Sequence, residues 1–504
     1  MPQYLAILEV SQKQAYIFGS KRLAENVARS EIIRYVTEEL YQACGGTERH
    51  LVYAGGGHII LQFDGVTAED ARTEGQALIR QVTRTAYGRF GLEVFAKLMP
   101  YDERKTPGDN LDELIRQLER KKSLRLSAFH EVDTGLEVEG VELEHDAVPE
   151  RKTTAVFQYQ HPTQFHDLTD KDSKLAIIHI DGNSMGKKAK AVTQSGAGDW
   201  ETCRVNHQTF SKAVDDAFQA ALNATIQRVE RAQAAGELEE IGFLEQDPFH
   251  PIRPIIAAGD DICFVTAGQL GVECAAYFLR FLAEYSPYTA CAGVVMVSEK
   301  YPFYRAYQTS AQLCDNAKKY AAQLVAEHGE EREFSAMDWH MEFGQGKKSL
   351  SETREDYIMD DSFGGEDVEH PIHTMNLRPL CVTGLEEEIL PYRSYPYFVN
   401  LIWKMKQYPI PRSKMKGLRD VIRQGIDETV YYVRSNRIAE LSKWAFDSKH
   451  QYDAAAVVKN GGKRDKAFFT QAKKEGGAYY RHSLYFDAIE LVDHITLLGE
   501  EEQG

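Results

Sequence analysis

The sequence predicts an α+β protein: two ferredoxin-like βαββαβ units in tandem, then a helical C-terminal domain. Three observations predict it. Residues 4–98 alternate strand-period and helix-period apolar runs in the order βαββαβ. Residues 174–298 repeat that order. From about Leu380 the apolar spacing is mostly helical and rich in aromatics, as in SYPYFVNLIWKMKQY.

In the first unit YLAILEV reads as a strand and LAENVARSEIIRYVTEELYQ as an amphipathic helix. HLVYAGGGHIILQF reads as two strands joined at glycines, AEDARTEGQALIRQVTRTAYG as a second helix, and LEVFAKLM as the closing strand. In the second unit KLAIIHID is a strand, a long helix covers about Cys203 to Ala234, and PIRPIIAAGDDICFV is a hairpin. LGVECAAYFLRFLAEYS is the next helix and TACAGVVMVS the closing strand. A further helix, YRAYQTSAQLCDNAKKYAAQLVAEHG, and a strand at FSAMDWHMEF follow.

The local texts agree as well as the order does. Aligning 53-YAGGGHIILQF-63 with 257-AAGDDICFV-265 sets Gly56 and Gly57 opposite Asp260 and Asp261. Aligning 5-LAILEVS-11 with 175-LAIIHID-181 sets Ser11 opposite Asp181. One unit then has acids at both places and the other has none. The division expected is a first unit over 1–100, a charged, partly helical linker over 101–168 with the basic run 116-RQLERKKSLRL-126, and a second unit over 169–345. An acidic loop over 346–378 and a helical domain over 379–504 complete it.

The 504 residues are 43% hydrophobic and 27% charged, ordinary for a soluble globular chain with room for roughly three domains. The net charge of -17 excludes a general nucleic-acid coat, so any RNA contact would be a local basic patch. Two clusters qualify: 412-RSKMKGLR-419, and 459-KNGGKRDKAFFTQAKKEGG-477 with Lys463, Arg464, Lys466, Lys473 and Lys474 among aromatics. A solvated charged loop explains either equally well. The 7 cysteines form no CxxC pair, which points to reduced thiols in a cytoplasmic compartment and away from a zinc ribbon. MPQYLAILEVSQKQ is no signal peptide, and no apolar stretch is long enough for a membrane span. The stretch 363-FGGEDVEH-370 lacks flanking apolar strands and reads as an acidic surface loop; His370 and His373 beside it lack a third metal ligand. His166-Asp167 is a lone dipeptide without further ligands.

The stretch 252-IRPIIAAGDDICFVTAG-268 sets Asp260 and Asp261 at the tip of an apolar hairpin. Turn chemistry alone accounts for Gly and Asp there; so does a divalent cation, which takes hard oxygen ligands. The first strand of this unit ends 177-IIHIDGNSMGKKAK-190, and in a ferredoxin-like sheet it neighbours the hairpin. Asp181 then stands beside Asp260 and Asp261, a ligand set for two Mg²⁺ or Mn²⁺ ions over a triphosphate. Gly182 and Gly186 let the backbone approach phosphate oxygens at a helix N-terminus, and Asn183, Ser184 and Gly259 belong to the same nucleotide-binding set. Lys187, Lys188, and Lys318 or Lys319 are the expected charge-balancing cations. In the first unit Gly55-Gly56-Gly57 is either a tight turn or, with Ser11, a place where the backbone lies against a nucleotide.

The pattern D-G-N-S-M-G-K, then A-G-D-D between apolar strands, resembles the polymerase/cyclase palm of the large subunit of type III CRISPR effector complexes. GGDEF nucleotide cyclases are more distantly similar. The likeness covers roughly residues 4–345 and includes LEVSQKQAYIF, Ala28-Arg29-Ser30, YAGGGHIILQF, TACAGVVMVSEKYPFY, DNAKK and AMDWH. It implies a cyclic-oligoadenylate synthetase of antiviral defence, with ATP as substrate, two metal ions on Asp181, Asp260 and Asp261, and an acceptor nucleotide on the first palm. Other effector subunits with guide and target RNA are the implied partners. This sequence departs from the family in three ways. Asn183 replaces the second acid of the usual DGD. Ala258 replaces the first glycine of the usual GGDD. Neither the HD nuclease domain nor the zinc-binding cysteine cluster is present, so the resemblance implies no DNase activity. The same residues admit a cyclic dinucleotide or an AMP conjugate of another small molecule as product. They also admit a non-catalytic scaffold of an RNA-guided complex, with Asn183 a mark of decay; the intact Asp181, Asp260 and Asp261 argue against that.

Overall fold

A computed structural model describes residues 2–124, 155–195, 199–329, 331–344, 348–359, 366, 369–385, 389–390, 392–408, 410–438, 451–452, 469–470, 472–475 and 477–499. The fold is α+β. In the first unit β1 (Tyr4–Val10), β2 (Leu51–Gly55), β3 (His58–Phe63) and β4 (Val94–Pro100) form an antiparallel sheet in the order β2-β3-β1-β4. Helices α1 (Lys13–Phe18), α2 (Leu23–Glu38), α3 (Leu40–Ala43) and α4 (Ala68–Phe90) lie between the strands. Local chemistry sets the ends of α4. The Thr67 hydroxyl accepts from the Asp70 N–H and Asp70 answers in a capping box, while Gly91 closes the helix at φ 66°.

The second unit repeats the order. β5 (Lys174–Gly182), α6 (Met185–Ser195), α7 (Trp200–Ala234), β6 (Ile252–Ala258), β7 (Asp261–Ala267), α8 (Gly271–Tyr285) and β8 (Ala290–Ser298) give β8-β5-β7-β6, the same arrangement strand for strand. Its strands read as continuous apolar runs because both faces are covered. Ile178, Ile180 and Phe264 meet α7 and α8, whereas Ile177, Cys263 and Val265 share a core with Ala6, Leu8 and Ile33 of the first unit.

Two elements fall outside the boundaries expected from sequence. The expected linker contains α5 (Pro107–Ser123), started by the Thr106 cap and Pro107, and Leu111, Leu114 and Leu118 pack on Leu5, Ile7 and Ile60 of the first sheet. It is the counterpart of α9 (Phe303–His328), which packs on the second sheet. Each unit is therefore βαββαβα. Residues 125 and 126 of the basic run lie outside the described residues. The sheet of the second unit also continues past β8. β9 (Ser335–Glu342) pairs parallel with β8, and after α10 (Leu350–Glu355) and β10 (Ile372–Thr374) the chain returns as β11 (Leu380–Thr383) to pair with β9. The expected boundary at 379 thus cuts a sheet. The C-terminal region contains α11 (Tyr395–Gln407), α12 (Arg412–Ile422) and α13 (Ile426–Ser435), but strands Lys473–Glu475 and Ala478–His482 join β10 in a small sheet. Buried Arg378 ties this region to β9 through Asp338, Asp487 and Glu490. Among the described residues no helix is long and apolar enough to cross a membrane.

Hydrogen-bond register fixes which residues of the two units correspond, and it corrects the alignment made by sequence. Both hairpins turn through two residues, Gly56-Gly57 and Gly259-Asp260; Gly55 pairs with His58 as Ala258 pairs with Asp261. On the first strands Glu9 pairs with His58 as Asp181 pairs with Asp261. Asp260 therefore corresponds to Gly57 and Asp261 to His58. Asp181 corresponds to Glu9, not to Ser11. Two further features agree. The Ser11 N–H donates to Glu93 O as the Asn183 N–H donates to Thr289 O, each just before the closing strand. Gln12 and Ser184 then both take left-handed backbone, at φ 48° and 56°. The first unit therefore keeps an acid at the end of its first strand.

Candidate active site

Asp181 ends β5, Asp261 begins β7 directly across from it, and Asp260 occupies the turn between β6 and β7. Gly259 at φ 61° supplies the left-handed residue that this turn needs. Its N–H donates to Asp215 Oδ1 of α7 at 3.1 Å, so a fourth carboxylate supports the turn. Gly182 leaves room for the group: a Cβ there would lie 2.9 Å from the Asp260 Cβ.

The acids crowd one another. Burial first, and then the charge of Asp181, push the Asp260 carboxyl up to about 6. Burial also raises Asp261, with His179 opposing and Asp181 adding. The Asp261 side chain is 45% exposed as a whole, yet its Oδ1 is buried without a hydrogen-bond partner; the buried His179 Nδ1 3.6 Å away is likewise unpartnered. One carboxylate oxygen thus faces inward and unsatisfied while the other side of the group is open. Lys318 Nζ lies 2.6 Å from Asp181 Oδ2 and donates to Gly182 O at 3.1 Å. Its ammonium is held up by that carboxylate against the effect of its own burial. Lys318 can reach because α9 sits directly on β8 at Gly293, where any Cβ would collide with the Ser310 carbonyl oxygen.

The other expected residues divide. Lys187 and Gly186 are exposed on the first turn of α6, and Gly186 has open space beside it. Ser184 takes the left-handed conformation that starts α6. Asn183 is engaged by the protein: Nδ2 donates to Thr289 Oγ1 at 3.0 Å and to Phe334 O at 2.9 Å, joining the starts of β8 and β9. An aspartate would lack that donor, so the amide here serves the structure. Lys188 pairs with Glu333 at 2.7 Å. Lys319 is turned away from Asp181 and lines a separate cleft of about 710 Å³ with Asp315 and Arg354; it is removed from the expected cation set because consecutive residues of α9 point about 100° apart.

The glycine turn of the first unit approaches the same region. Tyr53 lies between His58 and His207 of α7, its ring tilted against both with centroids 4.9 and 4.7 Å away. Burial raises its hydroxyl to about 12, and the charge of Asp260 adds to that. Glu9 is paired with Lys122 of α5 at 3.0 Å, the counterpart of Asp181 with Lys318 of α9. Sequence reasoning missed Glu9, Lys13, His58, Lys122, His179 and Asp215. The one signal available was Glu9 in LEV, hidden by an alignment two residues out. The region 363-FGGEDVEH-370 lies mostly outside the described residues, as do Lys463, Arg464 and Lys466. Lys473 is paired with Glu327 at 2.8 Å, and Lys474 lies over the Tyr479 ring.

Two tandem βαββαβ units, one with three carboxylates on adjacent strand ends, define a palm-type protein. Residues 174–324 match the family model described as Cas10/Cmr2, second palm domain. Among solved structures, that of a Csm1-Csm4 cassette in complex with cA4 aligns at TM-score 0.51 and 17% identity, covering 98% of this chain and 70% of that one. An apo Csm1-Csm4 cassette aligns at TM-score 0.45 and 20% identity over 63% of this chain, which spans about half of that one (53%). The first of these likenesses supports the fold. No curated protein matches the chain.

Proposed function

We propose that this chain is the nucleotidyl cyclase subunit of a type III CRISPR effector complex, joining ATP into cyclic oligoadenylate. The observation that carries the reading is the register pair Asp181–Asp261 with Asp260 in the adjoining turn, inside the region matched to the second palm of Cas10/Cmr2. The 3′-hydroxyl of one ATP attacks the α-phosphate of another, and pyrophosphate leaves. The partners are ATP, the other effector subunits, and guide and target RNA; the Csm1-Csm4 cassette of similar fold, solved in complex with cA4, supports that choice.

Among the described residues no three His, Cys, Asp or Glu side chains are arranged to hold a metal ion as they stand. The donor set nevertheless fits one. Three hard-oxygen groups stand at adjoining strand ends and the turn between them, burial and then the charge of Asp181 raise Asp260, and the inward Asp261 oxygen is unsatisfied. Asp181, Asp260 and Asp261 would hold two Mg²⁺ or Mn²⁺ ions, which when bound neutralise phosphate charge and make a hydroxyl more acidic. Lys318 pairs with Asp181 and adds a cation beside the phosphates. Gly182 and the first turn of α6 offer backbone N–H groups to them. Asp215 holds the turn that aims Asp260.

Incubation of the chain with all four NTPs and Mg²⁺ or Mn²⁺, followed by mass spectrometry, tests this. Cyclic oligoadenylate and pyrophosphate from ATP are expected. A cyclic dinucleotide or an AMP conjugate formed with cell extract would reassign the acceptor, and no pyrophosphate under any condition, target RNA included, would leave only a scaffold.

A further inference from the structure

Corresponding residues of the two palms carry opposite charge at the turn. The second palm has Met185 where the first has Lys13, each directly after the left-handed residue that starts the helix. Lys13 folds back over its own hairpin. Its Nζ donates to Gly56 O at 2.7 Å, and a Cβ on Gly57 would lie 2.5 Å from that Nζ. Gly56 and Gly57 hold the places of Gly259 and Asp260. Where the second palm presents a carboxylate that needs a cation from outside, the first presents an ammonium of its own. The two turn glycines, at φ 59° and 82°, are what give it that seat.

The ammonium has three donors and spends one on Gly56, which leaves two. Its charge is felt by His58 across the same turn. Lys122 on Glu9 puts a second cation within reach of His58. His58 stays neutral, held down to about 4 by burial and then by Lys13, and adds no charge of its own.

We propose that the first palm is a metal-independent polyphosphate site with Lys13 as its resident cation, taking the triphosphate of the acceptor nucleotide without a divalent ion. This rests on the two-palm reading above. It explains why one palm needs no carboxylate at its turn: the role given to bound metal in one is filled by a side chain in the other.

The test is ATP binding by the full chain in EDTA, followed by calorimetry, with inorganic triphosphate as competitor. Wild type should bind ATP and release it to triphosphate. Lys13→Met, which installs the residue of the second palm, should weaken binding about tenfold or more, the scale of one charge-assisted hydrogen bond. Lys13→Arg should bind as wild type does. Lys13→Gln keeps a donor for Gly56 and loses only charge, so it should fail like Lys13→Met even if the latter melts early. No binding by wild type in EDTA, or full affinity in Lys13→Gln, would overturn the proposal. Absent pyrophosphate release under every condition, target RNA included, would instead sink the cyclase reading, and the EDTA result would still decide Lys13.

Discussion

The first and second palms put an acid at the same strand end and a lysine from the same helix onto it. Glu9 meets Lys122 from α5, and Asp181 meets Lys318 from α9, at 3.0 and 2.6 Å. The likeness stops at the neighbouring strand. The second palm turns through Gly259-Asp260 into Asp261; the first turns through Gly56-Gly57 into His58, with Lys13 laid across the glycines. The acid–lysine pair therefore belongs to the shared architecture. What separates a carboxylate-rich palm from a cationic one is two turn-adjacent residues and the first residue of the following helix.

The largest effect should come from removing that difference on the acidic side. Asp260→Ala with Asp261→Ala should cut pyrophosphate release from ATP at least about a hundredfold, the scale of losing a main electrostatic contact to the reacting group. Its melting temperature in metal-free buffer should hold or rise, because crowded carboxylates are removed. Wild-type release by this variant would end the site assignment.

Adding acids to the cationic side is the converse. Gly57→Asp with His58→Asp places carboxylates beside Glu9, but the first meets Lys13 Nζ within ion-pair distance and demands a left-handed backbone. In the Asp260→Ala, Asp261→Ala background it should restore no synthesis; any product would show the palms interchangeable.

Asn183→Asp restores the acid usual in the resembled family. It removes the donor to Phe334 O and Thr289 Oγ1 and leaves carboxylate against carbonyl, so chemical denaturation should show a loss of about 1–3 kcal/mol with no gain in rate.

The raised Asp260 carboxyl gives a pH signature. The folded state holds this proton to about 6 where the unfolded chain releases it near 3.8, so the folded state binds more protons between those values. Metal-free stability should then fall as pH rises through that window. Asp260→Asn should flatten the slope, and a slope unchanged by the substitution would remove Asp260 as its source.

Glu9→Gln should do least. The pair with Lys122 is partly exposed and Lys122 keeps Glu119, so stability should change by less than about 1 kcal/mol and synthesis should stay near wild type. A large loss of synthesis would give the first palm's acid a direct role in the reaction.

Much of this molecule was legible in its residues. Apolar period distinguishes strand from helix wherever an element has one covered face, so both βαββαβ units, the repeat itself and the hairpin acids could be read directly. Asp181 beside Asp261 followed from strand adjacency in that order, which needs no coordinates. Gly182 was legible too, although its reason is the nearness of Asp260 and Met185.

Other assignments depended on distance across the chain. The offset between the two units was decided by hydrogen-bond register, because apolar text aligns almost as well one or two residues out while the side chains change face or place. Lys318 and Lys319 are equal candidates in a sequence; the close seating of α9 on Gly293 turns one to Asp181 and the other to a different cleft. Lys13 carries no motif, and only the fold of its helix start brings it onto Gly56. The sequence by itself determined the secondary elements, their repeated order and the three acids, since these are local patterns of polarity. Tertiary structure alone decided which charges meet, since Coulomb interactions at a few ångströms depend on packing that no local pattern encodes.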